Sequence, residues 1–164
     1  MLSFRKTIAA VALLFLAACS NVSMTPLISA NIEDLAAVNV IEVSGRDGQL
    51  YSRQLRNRLY VNGMQAPNYD LVSRITVASS SSLSVKGKSS TLKKMTMSNN
   101  IELLDRQTGE IVLRETLSAG ATFGVVTSYF GQDESERNGR ERLVKLLAER
   151  TARRVQLYFS SQNS

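Results

Sequence analysis

Four groups of residues are candidates for chemistry: Cys19 behind Leu16-Ala17-Ala18, the run Ser79 to Ser82, the acidic trio Asp133, Glu134 and Glu136, and the lysines Lys86, Lys88, Lys93 and Lys94. The chain of 164 residues has no His and one Cys. That excludes Ser-His-Asp and Cys-His catalytic pairs, imidazole metal sites, thiolate zinc clusters and an intrachain disulfide. A nucleophilic serine would then need a desolvated lysine base, and the nearest lysines flank Gly87 in a turn, so the serine run reads as the polar face of a strand. The acidic trio sits at a helix start, where carboxylates cap the helix and complement its dipole. No active site assembles, and the expectation is a protein without enzymatic activity. The lysines gather at one hairpin end, where they present positive charge with little bulk to phosphate groups; the same residues would also keep a strand end soluble.

The cysteine is more specific. Arg5 and Lys6 precede an apolar run of 11 residues, Ile8 to Ala18, too short to cross a bilayer, which takes about 20. This is the layout of a secretory signal peptide. Leu-Ala-Ala-Cys resembles the lipobox of bacterial lipoproteins, in which the thiol receives a diacylglyceryl group before cleavage in front of it. Residues 1–18 are accordingly read as signal peptide and residues 19–34 as lipidated Cys19 plus a Ser/Asn/Thr tether. The covalent diacylglycerol and N-acyl lipid on Cys19 are the only non-protein groups expected. Several acyl chains, each methylene contributing about 0.8 kcal/mol on burial, anchor the chain stably in a membrane. Ser20, in place of an inner-membrane retention Asp, points to the outer membrane, periplasmic side. The formal charge of +6 suits polyanions, and the export signal disfavours nucleic acid among them.

Residues 35–164 must position whatever the anchor carries. Val38 to Val43 is β-branched and ends at Ser44-Gly45, predicting a first strand. Tyr51, Leu55 and Leu59 recur every four residues, predicting a helix capped by Asp47 and stopped at Asn62-Gly63, with Arg53, Arg56 and Arg58 on its other face. The period then becomes two. Tyr69, Leu71, Ile75 and Val77, then Met95, Met97, Ile101 and Leu103, then Ile111, Leu113, Leu117, Ala119, Ala121 and Phe123 each alternate with polar residues, predicting three long antiparallel strands with one apolar side. Strands this long exceed the usual range, and strong twist or a bulge is expected, foremost in the Ser79–Ser82 run. Val144, Leu147, Ala148, Thr151, Ala152, Val155, Tyr158 and Phe159 form one helical stripe, predicting a helix from about Asp133 to Phe159 with Asp133 and Ser135 as candidate caps. The fold class is α+β: a two-layer sandwich of a four-stranded sheet, in strand-helix-strand-strand-strand-helix order, with two helices on one face.

These pieces resemble the LptE family of lipopolysaccharide-assembly lipoproteins. The match is carried by the lipobox, the tether, the element order and above all by Ser52-Arg53-Gln54-Leu55-Arg56-Asn57-Arg58-Leu59-Tyr60-Val61-Asn62-Gly63. The Ser-rich second strand, basic hairpin and Glu/Arg-rich last helix look like alphaproteobacterial members. The resemblance implies an outer-membrane lipoprotein that partners and plugs the LptD β-barrel and helps deliver lipopolysaccharide to the cell surface. It implies a lipopolysaccharide contact at the hairpin, where the family's basic residue falls on or beside Lys86, with Lys88, Lys93 and Lys94 around it. It also marks Arg53, Arg56, Asn57 and Arg58 as candidates for the partner interface. A second basic position of the family, before the last helix, has no counterpart in Phe130-Gly131-Gln132-Asp133-Glu134. The alternative reading is an auxiliary lipoprotein of an ABC-type envelope transporter.

Overall fold

The computed structural model describes residues 32–60, 62–83, 91–124 and 128–162. Along them run α1 (Ile32–Ala36), β1 (Val38–Val40), α2 (Gly45–Leu59), β2 (Tyr69–Leu83), β3 (Thr91–Asp105), β4 (Ile111–Gly124) and α3 (Tyr129–Gln162). The expected α+β order is present, with the single turn α1 added in front, three residues ahead of Leu35. The sheet has the order β1-β2-β3-β4. β1 lies parallel to β2, from Val38 opposite Tyr69 to Val40 opposite Leu71, and the other pairs are antiparallel. Parallel neighbours need a crossover, and α2 provides it. α3 packs on β3 and β4 and against α2, so both long helices cover one face.

The alternation and the helical stripes meet in one core. Leu71, Met95, Met97, Ile101, Leu103, Leu113 and Ala119 from the strands bury against Tyr51, Leu55 and Leu59 of α2 and Leu143, Val144, Leu147, Ala148, Val155 and Phe159 of α3. Tyr69 and Phe159 close one end edge-to-face, with ring centroids 5.1 Å apart. The β3–β4 turn is held by Asp105, whose Oδ1 accepts the Gln107 N–H at 2.7 Å. Gly109 completes it at φ +74°, a conformation that only glycine adopts without strain.

Several boundaries differ from the sequence expectation. β1 ends at Val40 instead of Val43, because the chain leaves the sheet after the Ile41 N–H has bonded the Leu71 carbonyl at 3.1 Å. Asp47 is not the cap of α2; Ser44 holds the extended cap position, and Asp47 pairs with Arg140 of α3 at 3.3 Å. Nor do Asp133 and Ser135 cap α3. That helix starts at Tyr129, where the Ser128 carbonyl accepts the Gln132 N–H at 2.9 Å, and it runs on to Gln162. The Ser79–Ser82 run has no bulge: the β2–β3 register is unbroken from Tyr69–Asp105 to Leu83–Thr91, kept by Met95 and Met97, which stay buried on β3. The irregularity lies between Leu103 and Leu104, opposite Leu113 and Ile111. One extra residue there, Val112, turns Ile111 off the apolar side that simple alternation assigns it, and Ile111 is 41% exposed.

The core is not wholly apolar. The Tyr51 hydroxyl donates to Thr151 Oγ1 at 3.0 Å, meets Ser73 Oγ at 3.0 Å and accepts from Asn99 Nδ2 at 2.8 Å. These four buried side chains come from α2, α3, β2 and β3. Burial pushes the tyrosine pKa up, against the three hydrogen bonds. Asn99 Oδ1 has no partner. Ser73 and Asn99 fill the gaps that the alternation leaves between Leu71 and Ile75 and between Met97 and Ile101.

Two outcomes follow from these contacts. Tyr51→Phe leaves three buried polar groups short of a partner and should lower unfolding stability by about 1–3 kcal/mol in urea titration; Asn99→Leu added to it should recover part of that loss. Asp70 accepts from both Arg106 (2.7 and 2.9 Å) and Asn39 (2.7 Å), and the Arg106 hydrogen bonds hold its carboxyl below the ordinary 3.8. A depressed carboxyl stabilises the fold above the ordinary value, and that contribution is lost as pH falls through the depressed one. Asp70→Asn should therefore lower Tm at pH 7, with the gap to the parent closing as the pH is taken down through and below the ordinary carboxylate range.

Candidate functional site

The described part of the basic hairpin divides by strand parity. Lys93 and Lys94 are neighbours on β3 and so point to opposite faces of the sheet. Lys93 turns under α3, its side chain three-quarters buried and its Nζ 2.5 Å from Glu136 Oε1. Glu136 also accepts from Gln132 at 2.7 Å, and the Gln132 and Lys93 hydrogen bonds depress its carboxyl pKa. Lys93 is thus a strut between β3 and α3. Lys94 is exposed on the opposite face, between Ser80 of β2 and Thr122 of β4. Lys86, Lys88 and Cys19 lie outside the described residues.

The acidic trio does not converge. Glu136 faces Lys93, Asp133 faces Arg137 at 3.5 Å, and Glu134 lies near Arg137 at 3.6 Å while accepting from Asn138 at 3.0 Å. These are partners within the helix and to the sheet. Among the described residues no group of three or more His, Cys, Asp or Glu could hold a metal ion, and no helix is long and apolar enough to cross a membrane.

The arginine-rich face of α2 has a double character. Arg53 and Asn57 are exposed. Arg56 instead donates to the Val40 carbonyl at 3.0 Å and pairs with Glu42 at 2.6 Å, and Arg58 folds back on Gln54 at 3.2–3.3 Å. The Tyr60 hydroxyl donates to the Val38 carbonyl at 2.7 Å and accepts the Val40 N–H at 3.3 Å. The motif stretch thereby fastens the outer edge of β1, a structural task that its resemblance did not reveal.

The surface that sequence reasoning passed over is the sheet face away from the helices. Cross-strand rows run Arg74–Asn100–Thr116, Thr76–Ser98–Ser118, Ala78–Thr96–Gly120 and Ser80–Lys94–Thr122. All of these residues are exposed or half-buried, and Thr116 donates to Asn100 at 2.8 Å. The face is broad and hydroxyl-rich, with Arg74, Asn100 and Lys94 as the large side chains of these rows. Its signal was present in the sequence as the polar half of each alternation, which defines a surface only once the registers are known.

No protein-family model matches this sequence, and no curated protein matches it. Solved structures do. A putative lipoprotein from Caulobacter crescentus CB15 is similar over 81% of this chain and 98% of its own length, with a TM-score of 0.64 and 17% identity. Rare lipoprotein B from Shewanella oneidensis is similar over 78% of this chain and 98% of its own, with a TM-score of 0.61 and 11% identity. At such identities the likeness establishes a shared fold: the α+β sandwich of this chain is one that these two lipoproteins adopt.

Proposed function

We propose that this chain is a lipid-anchored protein of the outer membrane, on its periplasmic side, that partners and plugs an LptD-type β-barrel in the transport of lipopolysaccharide to the cell surface. Its role is binding, not catalysis. The observation that carries this reading is the open sheet face, a hydroxyl-rich polar surface bearing Arg74 and Lys94, which suits the hydrated inner wall of a wide barrel. The lipobox at Cys19 and the fold shared with two lipoproteins support the anchorage.

The shape agrees with that task. The chain enters the fold at α1, beside the start of β2, where the Ala37 carbonyl accepts the Asn68 and Tyr69 N–H groups. β2 then runs for 15 residues away from that point, a span of about 45–50 Å at roughly 3.3 Å per residue. That matches a bilayer of about 40–45 Å including headgroups. A domain tethered at one end can therefore carry its lysine-bearing hairpin the length of a membrane-spanning lumen.

An affinity pull-down of the lipidated protein from detergent-solubilised outer membranes is expected to retain a large β-barrel through washing. Recovery of ABC-transporter subunits would instead favour the auxiliary-lipoprotein alternative, and recovery of neither would sink the plug reading. Lipopolysaccharide contact is tested separately. Replacing Lys86, Lys88 and Lys94 by Ala is expected to weaken lipopolysaccharide binding and flatten its dependence on salt, with Lys93 left in place because its loss would unfasten Glu136. Unchanged affinity and salt slope would remove the hairpin from the site.

A further inference from the structure

The sheet has three stretches of outer edge, and the structure treats them differently. Along β1, the outward-facing Val38 and Val40 backbone groups are taken by Tyr60 and Arg56. Along β4, Arg150 of α3 donates to the Ser118 carbonyl and Arg154 pairs with Glu115. The third stretch is β2 beyond Leu71, where β1 has ended. Because Ile41 N–H bonds the Leu71 carbonyl, residues at steps of two from Leu71 turn their backbone groups to the same edge. Ser73, Ile75, Val77 and Ser79 thus present N–H and C=O outward, and no described strand pairs with them. Long open edges are normally blunted by Lys, Pro, bulges or a covering element. From Ser73 to Leu83 there is no Pro and no Lys, Arg74 is the only charge, and the β2–β3 register has no bulge.

A groove of about 860 Å³ adjoins this edge, between β2, the segment from Ile41 to Gly48 and the first half of α3. Its walls decide what fits. Ile75 and Val77 offer apolar surface at alternate positions, with Ile41 and Leu50 nearby. The charged side chains of the far wall are largely engaged with each other: Arg140 with Asp47, Arg46 with Glu141, Arg137 with Asp133, Glu136 with Lys93 and Glu42 with Arg56. A charged guest would have to break such pairs. A single uncharged strand meets no such obstacle.

We infer that the open edge of β2 is a docking site for an extended segment of a partner protein, uncharged and alternating aliphatic with small hydroxyl residues, which adds to the sheet beyond the end of β1. Main-chain hydrogen bonds to Ser73, Ile75, Val77 and Ser79 supply affinity. The alternate aliphatic side chains settle on Ile75 and Val77 and supply selectivity. The site is separate from the open sheet face, so it stands or falls independently of the barrel-plug reading.

The test uses the full chain in detergent and a short end-blocked peptide that alternates valine with serine and threonine, made soluble by a polyethylene glycol tail. Binding is expected to slow hydrogen exchange at the Ile75, Val77 and Ser79 amides. Val77→Pro, which removes an edge-facing donor at a position where an edge strand tolerates proline, should weaken binding by on the order of tenfold or more. The same peptide N-methylated at alternate amides should not bind; it decides the matter on the unaltered protein should the proline variant fail to fold. Equal binding of the N-methylated peptide, or no binding up to about 1 mM, would overturn the proposal. So would slow exchange at these amides without peptide, assigning the edge to a second copy if sedimentation gives a dimer, or to residues 20–31 of the same chain if it gives a monomer.

Discussion

The Tyr51 hydroxyl sits where four elements meet, and the relative placement of those elements turns on satisfying it. A phenol removed from water must find partners, and here Ser73, Asn99 and Thr151 come from two strands and the long helix. Apolar packing alone tolerates small slides between a helix and a sheet, whereas three hydrogen bonds within about 3 Å do not. The unpartnered Asn99 Oδ1 is the cost of that arrangement. It is retained at the point where α2, α3, β2 and β3 acquire their common register.

From this fixed centre the two sheet faces take different roles. The helix-side face is closed by core packing and by charged struts at its margins, Lys93 with Glu136 and Arg154 with Glu115. The opposite face carries hydroxyls, small residues, Arg74 and Lys94. Because a strand alternates sides at every residue, adjacent lysines of one basic cluster serve unrelated ends: Lys93 joins the sheet to α3, and Lys94 faces outward.

The edges repeat that division. Side chains from α2 and from the residue just beyond it close β1, and α3 reaches over β4, but β2 outruns its parallel neighbour and keeps a bare flank beside a groove. This follows from β1 being three residues long against fifteen for β2. The described fold thus has one polar sheet face and one open edge.

Periodicity and composition were enough to specify the α+β class, the element order, the stripe of α3 and the apolar residues of the core, since alternation and helical spacing are local properties of the chain. Leu16-Ala17-Ala18-Cys19 is a local pattern of the same kind and lies outside the described residues. Ser73, Asn99 and Glu115 were visible only as interruptions in the apolar pattern; that the first two would share one hydroxyl with Tyr51 and Thr151 depends on side chains up to 100 residues apart. Asp47 and Asp133 read as caps because capping is a local rule, but ion pairs with Arg140 and Arg137 and earlier helix starts at Gly45 and Tyr129 gave them other work. The bulge at Val112, the diversion of Lys93 to Glu136 and the open flank of β2 were decided by tertiary structure alone. Each depends on which strand lies beside which and in what register, and a one-dimensional pattern cannot encode a neighbour it does not name.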